Sequence, residues 1–558
     1  MNRVLLALCL AVFMARPSAA QDPPVPSSPP QIFRELRLEG ATVYKADDVL
    51  WLLRLREGTP LPGDAGEVAR KLQERYERDG YREARVTGSF DAGRLTLSVD
   101  EGRIDEIELV GVAEHDTARI LDLLRLEPGD IYNTRISGRA ASRLERESGG
   151  ALRIGKPRDK QPGTTGQGAV AGEIALQRRG DRNVLVVPIR EVRSRSSLSF
   201  GGARDDFFSP ADGLSPAVVG TATIFDPRRF NHTYLDGHFS YKFGRDDPGF
   251  SAGAERPLFG GPWLFVGGEV HDVTTSDDLW RITSIEQSIV ALTFKNSFRD
   301  YYRRQGGQIF TVLRAGSHNE LSLMARWDQH QPLPNSTTYS FWRDDAEYRQ
   351  ALPVQDQQVN AFVLGYTFDT RTLSGSGERA TYVRHLKDNL YGVASRRLPG
   401  LRLEWTSEIA GHGLGGDARF DRHIVNARGY LPITSHTLLS MRGIFGTGSD
   451  DLPVERQFSL GGIGSVHGYE FKQETGTRMG LVNAEYALIL GGRSRERETA
   501  TIFAFYDVGR VGGVATSNRW LNGIGLGVGV AGVRVEFGFR ANAIPQSRQI
   551  LVRFSPSF

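Results

Sequence analysis

Around a single imidazole, the stretch Phe458-Ser-Leu-Gly-Gly-Ile-Gly-Ser-Val-His-Gly-Tyr-Glu-Phe471 gathers Gly461, Gly462, Gly464 and Gly468. Glycine permits positive φ and close backbone approach, so the run has three readings: a phosphate cradle, a flexible linker, or a loop folded into a narrow space. A second glycine series, Gly523-Ile-Gly-Leu-Gly-Val-Gly-Val530, looks like a dinucleotide fingerprint by eye only. No helix pattern follows it, and no βαβ unit places an acidic residue about 20 positions on, so small residues on one strand face are the better account. The chain has no G-x-S-x-G elbow and no H-E-x-x-H pair, and its 11 histidines are scattered. No catalytic residue set, cofactor or metal is therefore expected.

The elements that must position His467 come next. Arg3 and the apolar run Val4 to Ala15, followed by Pro17-Ser-Ala-Ala20, read as a cleaved secretory leader over residues 1–20. The single cysteine, Cys9, lies inside it, so no disulfide or thiol chemistry is expected after cleavage. The 69 basic and 66 acidic residues give a net charge of +3, which offers no bias toward nucleic acid. Beyond the leader no apolar run approaches the roughly 20 residues of a membrane helix. An exported chain of this kind enters a membrane only as a closed β-barrel.

Residues 21–31, with Asp22-Pro-Pro-Val-Pro-Ser-Ser-Pro-Pro30, read as an extended tether. Leu38-Glu-Gly40 and Leu52-Leu-Arg-Leu-Arg-Glu-Gly58 then recur 71 residues later as Leu109-Val-Gly111 and Leu123-Leu-Arg-Leu-Glu-Pro-Gly129, a tandem domain. Each copy, 32–102 and 103–192, reads strand, helix, helix, strand, strand. In the first copy Asp64-Ala-Gly-Glu67 reads as a capping box, Val68, Leu72 and Tyr76 form one apolar stripe, and Tyr81 to Thr87 and Arg94 to Val99 read as strands. Lys156 to Gly180 reads as a surface loop.

From residue 193 to 558 the grammar is short alternating runs. Ile524, Leu526, Val528 and Val530, then Val533, Val535, Phe537 and Phe539, share one face; glycines, Arg534, Glu536 and Arg540 share the other. A soluble sandwich shows the same alternation. Export, the length of the region and the terminal series Ile550, Val552, Phe554 and Phe558 favour a transmembrane barrel.

Here the chain resembles the BamA/TamA outer-membrane assembly factors and their two-partner secretion relatives. Val466-His-Gly-Tyr469 is similar to the family's Val-Arg-Gly-Tyr/Phe tip of the sixth extracellular loop, and Gly480-Leu-Val-Asn-Ala-Glu-Tyr486 to the strand after it. Phe505-Tyr-Asp-Val-Gly509 resembles the aromatic-x-Asp-x-Gly motif of the next strand, and Asp369-Thr-Arg371 a strand-end signature. The resemblance implies α+β periplasmic POTRA repeats followed by an all-β barrel of about sixteen antiparallel strands. It implies a loop tip, Val466, His467, Gly468 and Tyr469, folded into the lumen and anchored by Asn483, Glu485, Phe505, Asp507 and Gly509. Ile550, Val552, Phe554 and Phe558 would lie on the closing strand. Asp507 or Glu485 is the expected acid for the cationic tip, which here is histidine where the family has arginine.

The implied function is insertion or export of unfolded outer-membrane or secreted clients at the outer membrane, in contact with its lipids, with periplasmic or lipoprotein partners on the repeats and no nucleic acid. A dedicated two-partner secretion transporter is the near alternative. A passive porin-like channel is the alternative of another class.

Overall fold

The computed structural model describes residues 32–112, 116–148, 150–155, 172–200, 206–226, 228–229, 231–259, 263–316, 318–343, 345–370, 399–434, 436–490, 500–513, 517–530 and 532–554. The expected leader and tether, residues 1–31, therefore lie outside the described residues, as do Arg371 and Phe558. The chain divides into two compact units, one of residues 1–109, 125–140 and 174–187, the other of residues 110–124, 141–173 and 188–558.

In the first unit, strand Glu35–Glu39 pairs in parallel with Arg94–Asp100, which pairs antiparallel with Arg85–Asp91. Helices Ala46–Leu52 and Ala65–Arg78 precede that hairpin. The Asp64 carboxylate accepts from the Glu67 amide at 2.7 Å, which satisfies one of the free donors at the start of the second helix. Val68, Leu72 and Tyr76 are fully buried along its inner stripe and share a core with Val49, Leu95 and Leu97. The expected strand at Tyr81 starts later, at Arg85. Tyr81 instead completes the helix end: its amide donates to the Tyr76 carbonyl at 2.9 Å and its ring meets the Tyr76 ring edge-on.

The second repeat has one strand more than expected. Its elements run Glu106–Val110, Thr117–Leu124, Thr134–Glu147, Leu152–Ile154, Ala175–Arg179 and Arg182–Glu191. The surface loop expected over Lys156 to Gly180 is thus corrected at its end. Ala175–Arg179 pairs as a hairpin with Arg182–Val186, and Gly180, at φ +63°, supplies the turn. Polar Gln and Arg on that strand hid it, since only one face of a hairpin needs to be apolar.

The second unit holds sixteen strands in one antiparallel sheet, paired in chain order. They are β1 (Ser194–Phe200), β2 (Ala217–Asp226), β3 (Asn231–Lys242), β4 (Asp247–Pro257), β5 (Leu264–Thr275), β6 (Tyr302–Ala315), β7 (Asn319–Pro332) and β8 (Gln357–Asp369). The rest are β9 (Gly400–Ala410), β10 (Phe420–Pro432), β11 (Thr437–Gly448), β12 (Arg478–Leu490), β13 (Ala500–Gly512), β14 (Trp520–Val530), β15 (Val533–Arg540) and β16 (Gln549–Arg553). β1 and β16 are the two edges, and among the described residues no pairing joins them. The ladder of β16 to β15 stops at the pair Arg534 and Arg553, before Phe554, which was expected on the strand; residues 555–558 lie outside the described residues.

Burial alternates along the strands with the polar face inward. On β12 to β15 the buried set includes Asn483, Glu485, Asp507, Arg534 and Glu536, while Leu488, Ile502, Leu526 and Phe537 are exposed outward. That is the reverse of a soluble sandwich and the pattern of a barrel in lipid. The glycines of β14 belong to the inner face. A Cβ on Gly525 would stand 2.2 Å from the Phe505 ring, and one on Gly527 2.2 Å from the Phe503 ring. The series makes room for two aromatic rings of the neighbouring strand, not for a pyrophosphate.

Candidate functional site

Two long connections fill the inner face. The first runs between β5 and β6 and carries helix Ser284–Phe294; it is called loop 3 below. The second, between β11 and β12, is loop 6. Its base is a small hairpin of Phe458–Leu460 with Glu474–Gly476, and its tip is the glycine-rich stretch.

Gly461, Gly462, Gly464 and Gly468 all take positive φ, between +68° and +116°. At two of them space is as tight as the conformation is special. A Cβ on Gly464 would lie 2.4 Å from the Arg281 carbonyl, and one on Gly468 2.3 Å from the Arg540 amide nitrogen. The loop is therefore folded into a narrow space, and its tip is buried. Val466 packs among Trp280, Leu460, Leu481 and Val511.

His467 sits between two strands' carboxylates. Its Nδ1 lies 2.6 Å from Asp507 Oδ2 and its Nε2 3.1 Å from Glu536 Oε2, and its backbone amide also donates to Asp507, at 3.2 Å. An imidazole that donates from both ring nitrogens is the imidazolium. The ring also packs 4.4 Å, centroid to centroid, from Phe505. The cationic tip is thus supplied by histidine, held between two acids.

Asn483 joins the same network: its Nδ2 donates to the Ser465 carbonyl and to Asp507 Oδ1, both at 2.7 Å. Its Oδ1 accepts from Arg442 Nε and Nη2, and the same Nη2 donates to the Gly464 carbonyl at 2.6 Å. Tyr469 accepts from the Asn522 amide at 3.2 Å and carries the Arg540 guanidinium over its ring. Gly509 leaves room for Leu460, whose side chain a Cβ would meet at 2.6 Å.

Glu485 pairs with Arg534 on the neighbouring wall, accepting from it at 2.5 Å, and Arg534 also pairs with Glu536 at 2.8 Å. The expected choice between Asp507 and Glu485 resolves geometrically to Asp507, with Glu536 as a second acid. Alternation on β15 had already put Glu536 on the inner face; what it could not supply was the strand's height relative to the loop.

Ile550 and Val552 point outward and Phe554 follows the end of β16. Gln549, on the same strand, accepts from the Gly468 amide at 3.2 Å, so the loop tip touches the sheet's terminal strand. Sequence reasoning missed Gln549, Arg442 and the whole of loop 3. No spacing in those segments distinguishes them from ordinary strand and loop residues.

The arrangement holds a polypeptide segment, the loop-6 tip, on the inner face of the sheet. The sequence pattern of the family described as "Omp85 superfamily domain" matches residues 238–539, and that described as "Surface antigen variable number repeat" matches residues 31–102. Outer membrane protein assembly factor BamA of Nitratidesulfovibrio vulgaris is 28% identical over 127 residues, 20% of this chain and 16% of that protein's length. The chain thus spans only a small part of this relative. Among solved structures, BamA from Haemophilus ducreyi lacking POTRA domains 1-3 superposes with a TM-score of 0.50 at 15% identity, covering 93% of this chain and 98% of that one. CdiB from Escherichia coli superposes with a TM-score of 0.34 at 17% identity, covering 94% and 90%.

Proposed function

This chain belongs to the Omp85 superfamily, and from that premise we propose that it is an outer-membrane insertase or translocase, assisting assembly of β-barrel proteins or export of a passenger chain. The observation that carries the reading is a sixteen-strand sheet whose terminal strands, among the described residues, are not paired with each other, while a buried loop tip is lodged on its inner face. An unpaired strand edge is a template for another strand.

On this reading the working parts are assigned as follows. Domains at 32–102 and 103–192 stand in the periplasm and offer sheet edges to unfolded clients or to periplasmic or lipoprotein partners. The barrel, 193–558, sits in outer-membrane lipid. Val466, His467, Gly468 and Tyr469 are the loop tip, and Asn483, Phe505, Asp507 and Gly509 its anchor on the wall. Glu485 serves indirectly, by fixing Arg534 beside Glu536. Ile550 and Val552 are assigned to the lipid-facing side of the closing strand, with Phe554 just past its end; Phe558, expected on the same strand, lies outside the described residues. The reading involves no chemistry on a substrate. Two loops packed on the inner face argue against a constitutively open porin.

The test is depletion of the protein followed by a census of outer-membrane and secreted proteins. Loss of several barrel proteins supports an insertase, and loss of one exoprotein a dedicated transporter. An unchanged census, with a steady large conductance in planar bilayers, overturns the proposal in favour of a porin.

A further inference from the structure

Loop 3 carries interactions that the loop-6 site does not use. Its helix Ser284–Phe294 opens with a reciprocal cap: Thr283 accepts from the Glu286 amide at 3.2 Å, and Glu286 Oε2 accepts from the Thr283 amide at 2.8 Å. The other carboxylate oxygen of Glu286 faces the end of the barrel. Oε1 accepts from Arg553 Nε at 3.1 Å and from the backbone amide of Phe554. Arg553 also donates from Nη2 to the Arg281 carbonyl at 2.9 Å. Glu286 is 2% exposed and Arg553 1%, so the ion pair is shielded from solvent.

Arg281 connects this pair to loop 6. Its guanidinium donates to Ser459 Oγ at 2.8 Å and Ser465 Oγ at 3.0 Å, and it lies over the Trp280 ring. The terminal strand, loop 3 and loop 6 are thus joined by one continuous run of hydrogen bonds. The ladder between β15 and β16 ends at Arg553, and the next backbone donor, on Phe554, is given to a side chain of loop 3 instead of to a strand.

We propose that loop 3 is a latch on the C-terminal strand, in which Glu286 grips Arg553 and the Phe554 amide and so fixes where β16 ends. Engaged, the latch withholds that end of the strand from pairing. Released, it leaves the backbone donor free for a neighbouring strand, either β1 or an incoming client. Glu286 and Arg553 are positioning residues: they act through the strand they hold. This inference rests, for its consequence but not for its geometry, on the proposed function, in which the edges β1 and β16 form a seam that takes up another strand.

Hydrogen exchange on the full chain in detergent micelles or nanodiscs separates the two. Glu286→Gln retains a carbonyl for the Thr283 amide, so the helix cap is kept while the charge that meets Arg553 is lost. The expected result is exchange about tenfold or more faster in a peptide covering residues 549–554, with the helix 284–294 unchanged. Arg553→Met approaches from the other side and should give the same strand effect, and Arg553→Lys should recover part of the protection. Wild-type exchange at the strand in both Glu286→Gln and Arg553→Met overturns the latch. Faster exchange in the strand with full restoration of the client census by Glu286→Gln leaves the latch standing and counts against the seam as the working gate. If Glu286→Gln fails to fold, as shown by loss of heat-dependent gel migration, Arg553→Met and Arg553→Lys decide the question alone.

Discussion

The first repeat and the barrel bury opposite kinds of side chain. In the repeat, Val68, Leu72, Leu95 and Leu97 are fully buried, and apolar burial of this kind is non-directional. In the barrel the largest fully buried side chains include Arg281, Arg442 and Arg553, while Leu526, Val528 and Val530 face outward. A charged interior gains less net stability than an apolar one, because desolvation offsets most of the attraction. It gains geometry instead: each group has a few specific partners, and a competing polar segment can replace them. One region is built as a scaffold, the other as a set of holds that can be exchanged.

The sharpest way to break this comparison is Asp507→Ala. It strips His467 and Asn483 of a shared acceptor and leaves a buried cation facing Glu536 alone. Removing one partner of a buried pair costs about 3–5 kcal/mol. The temperature at which unheated protein loses its compact gel migration should fall, and loop 6 should become open to protease, while exchange in residues 32–102 stays as in wild type. If the loop stays protected, the charged network is not what holds it.

Leu72→Ala should do the reverse. It leaves a cavity among Val49, Tyr76 and Leu97, at a cost of about 2–5 kcal/mol. Exchange across the helix Ala65–Arg78 should accelerate with the barrel's gel migration unchanged. A fall in both would mean that the barrel draws stability from the repeat core.

The same contrast explains what was legible in the sequence. Period-two alternation marked β14 and β15 and told Arg534 and Glu536 from Val533 and Phe537, since any strand in lipid must sort its faces. The stripe Val68, Leu72, Tyr76 marked the helix for an equally local reason. Asp507 was reachable because a strand motif carried it. Arg281 and Glu286 were not: their partners Ser459, Ser465 and Arg553 are more than 170 residues away in sequence, and loop residues have no period. Gly180 and Ala175–Arg179 were misread because a polar hairpin strand looks like a loop when only its composition is weighed.

Smaller effects are expected at the tip. His467→Arg should keep a charged donor for Asp507 and Glu536 and hold loop 6 close to wild type. His467→Ala removes the ring donors to both carboxylates, leaving Asp507 to Asn483 and Glu536 to Arg534, and should cost about 1–3 kcal/mol. Protease cutting of loop 6, read beside gel migration, ranks the three proteins. If His467→Ala matches wild type, the lumen network closes without the tip.

The smallest effect sharpens the comparison from the scaffold side, because the repeat contains one deliberate exception to its apolar core. Glu101 is 4% exposed, yet its carboxylate accepts from the amides of Thr42 and Val43 at 2.7 and 2.8 Å, from the Thr42 hydroxyl, and from the Tyr76 hydroxyl at 2.8 Å. Burial alone would raise this carboxyl; the Thr42 hydroxyl, the Val43 and Thr42 amides and the Tyr76 hydroxyl outweigh it and hold the carboxyl below its ordinary value. Burial first, then the neighbouring carboxylate, pushes the Tyr76 hydroxyl up, so it stays a donor. A depressed folded-state value means that the stabilisation is present above the unfolded carboxyl's value, about 4.3, and is lost as pH falls through the folded one. Protection of residues 32–102, taken relative to intrinsic exchange at each pH, should therefore hold at about pH 6 and weaken progressively below about pH 4. Glu101→Gln retains the shape but cannot take up that proton, so it should be less protected at the higher pH and flatter across the range. A wild-type profile as flat as that of Glu101→Gln would show that the four donors merely satisfy a buried group, and that the scaffold, unlike the barrel, takes none of its stability from charge.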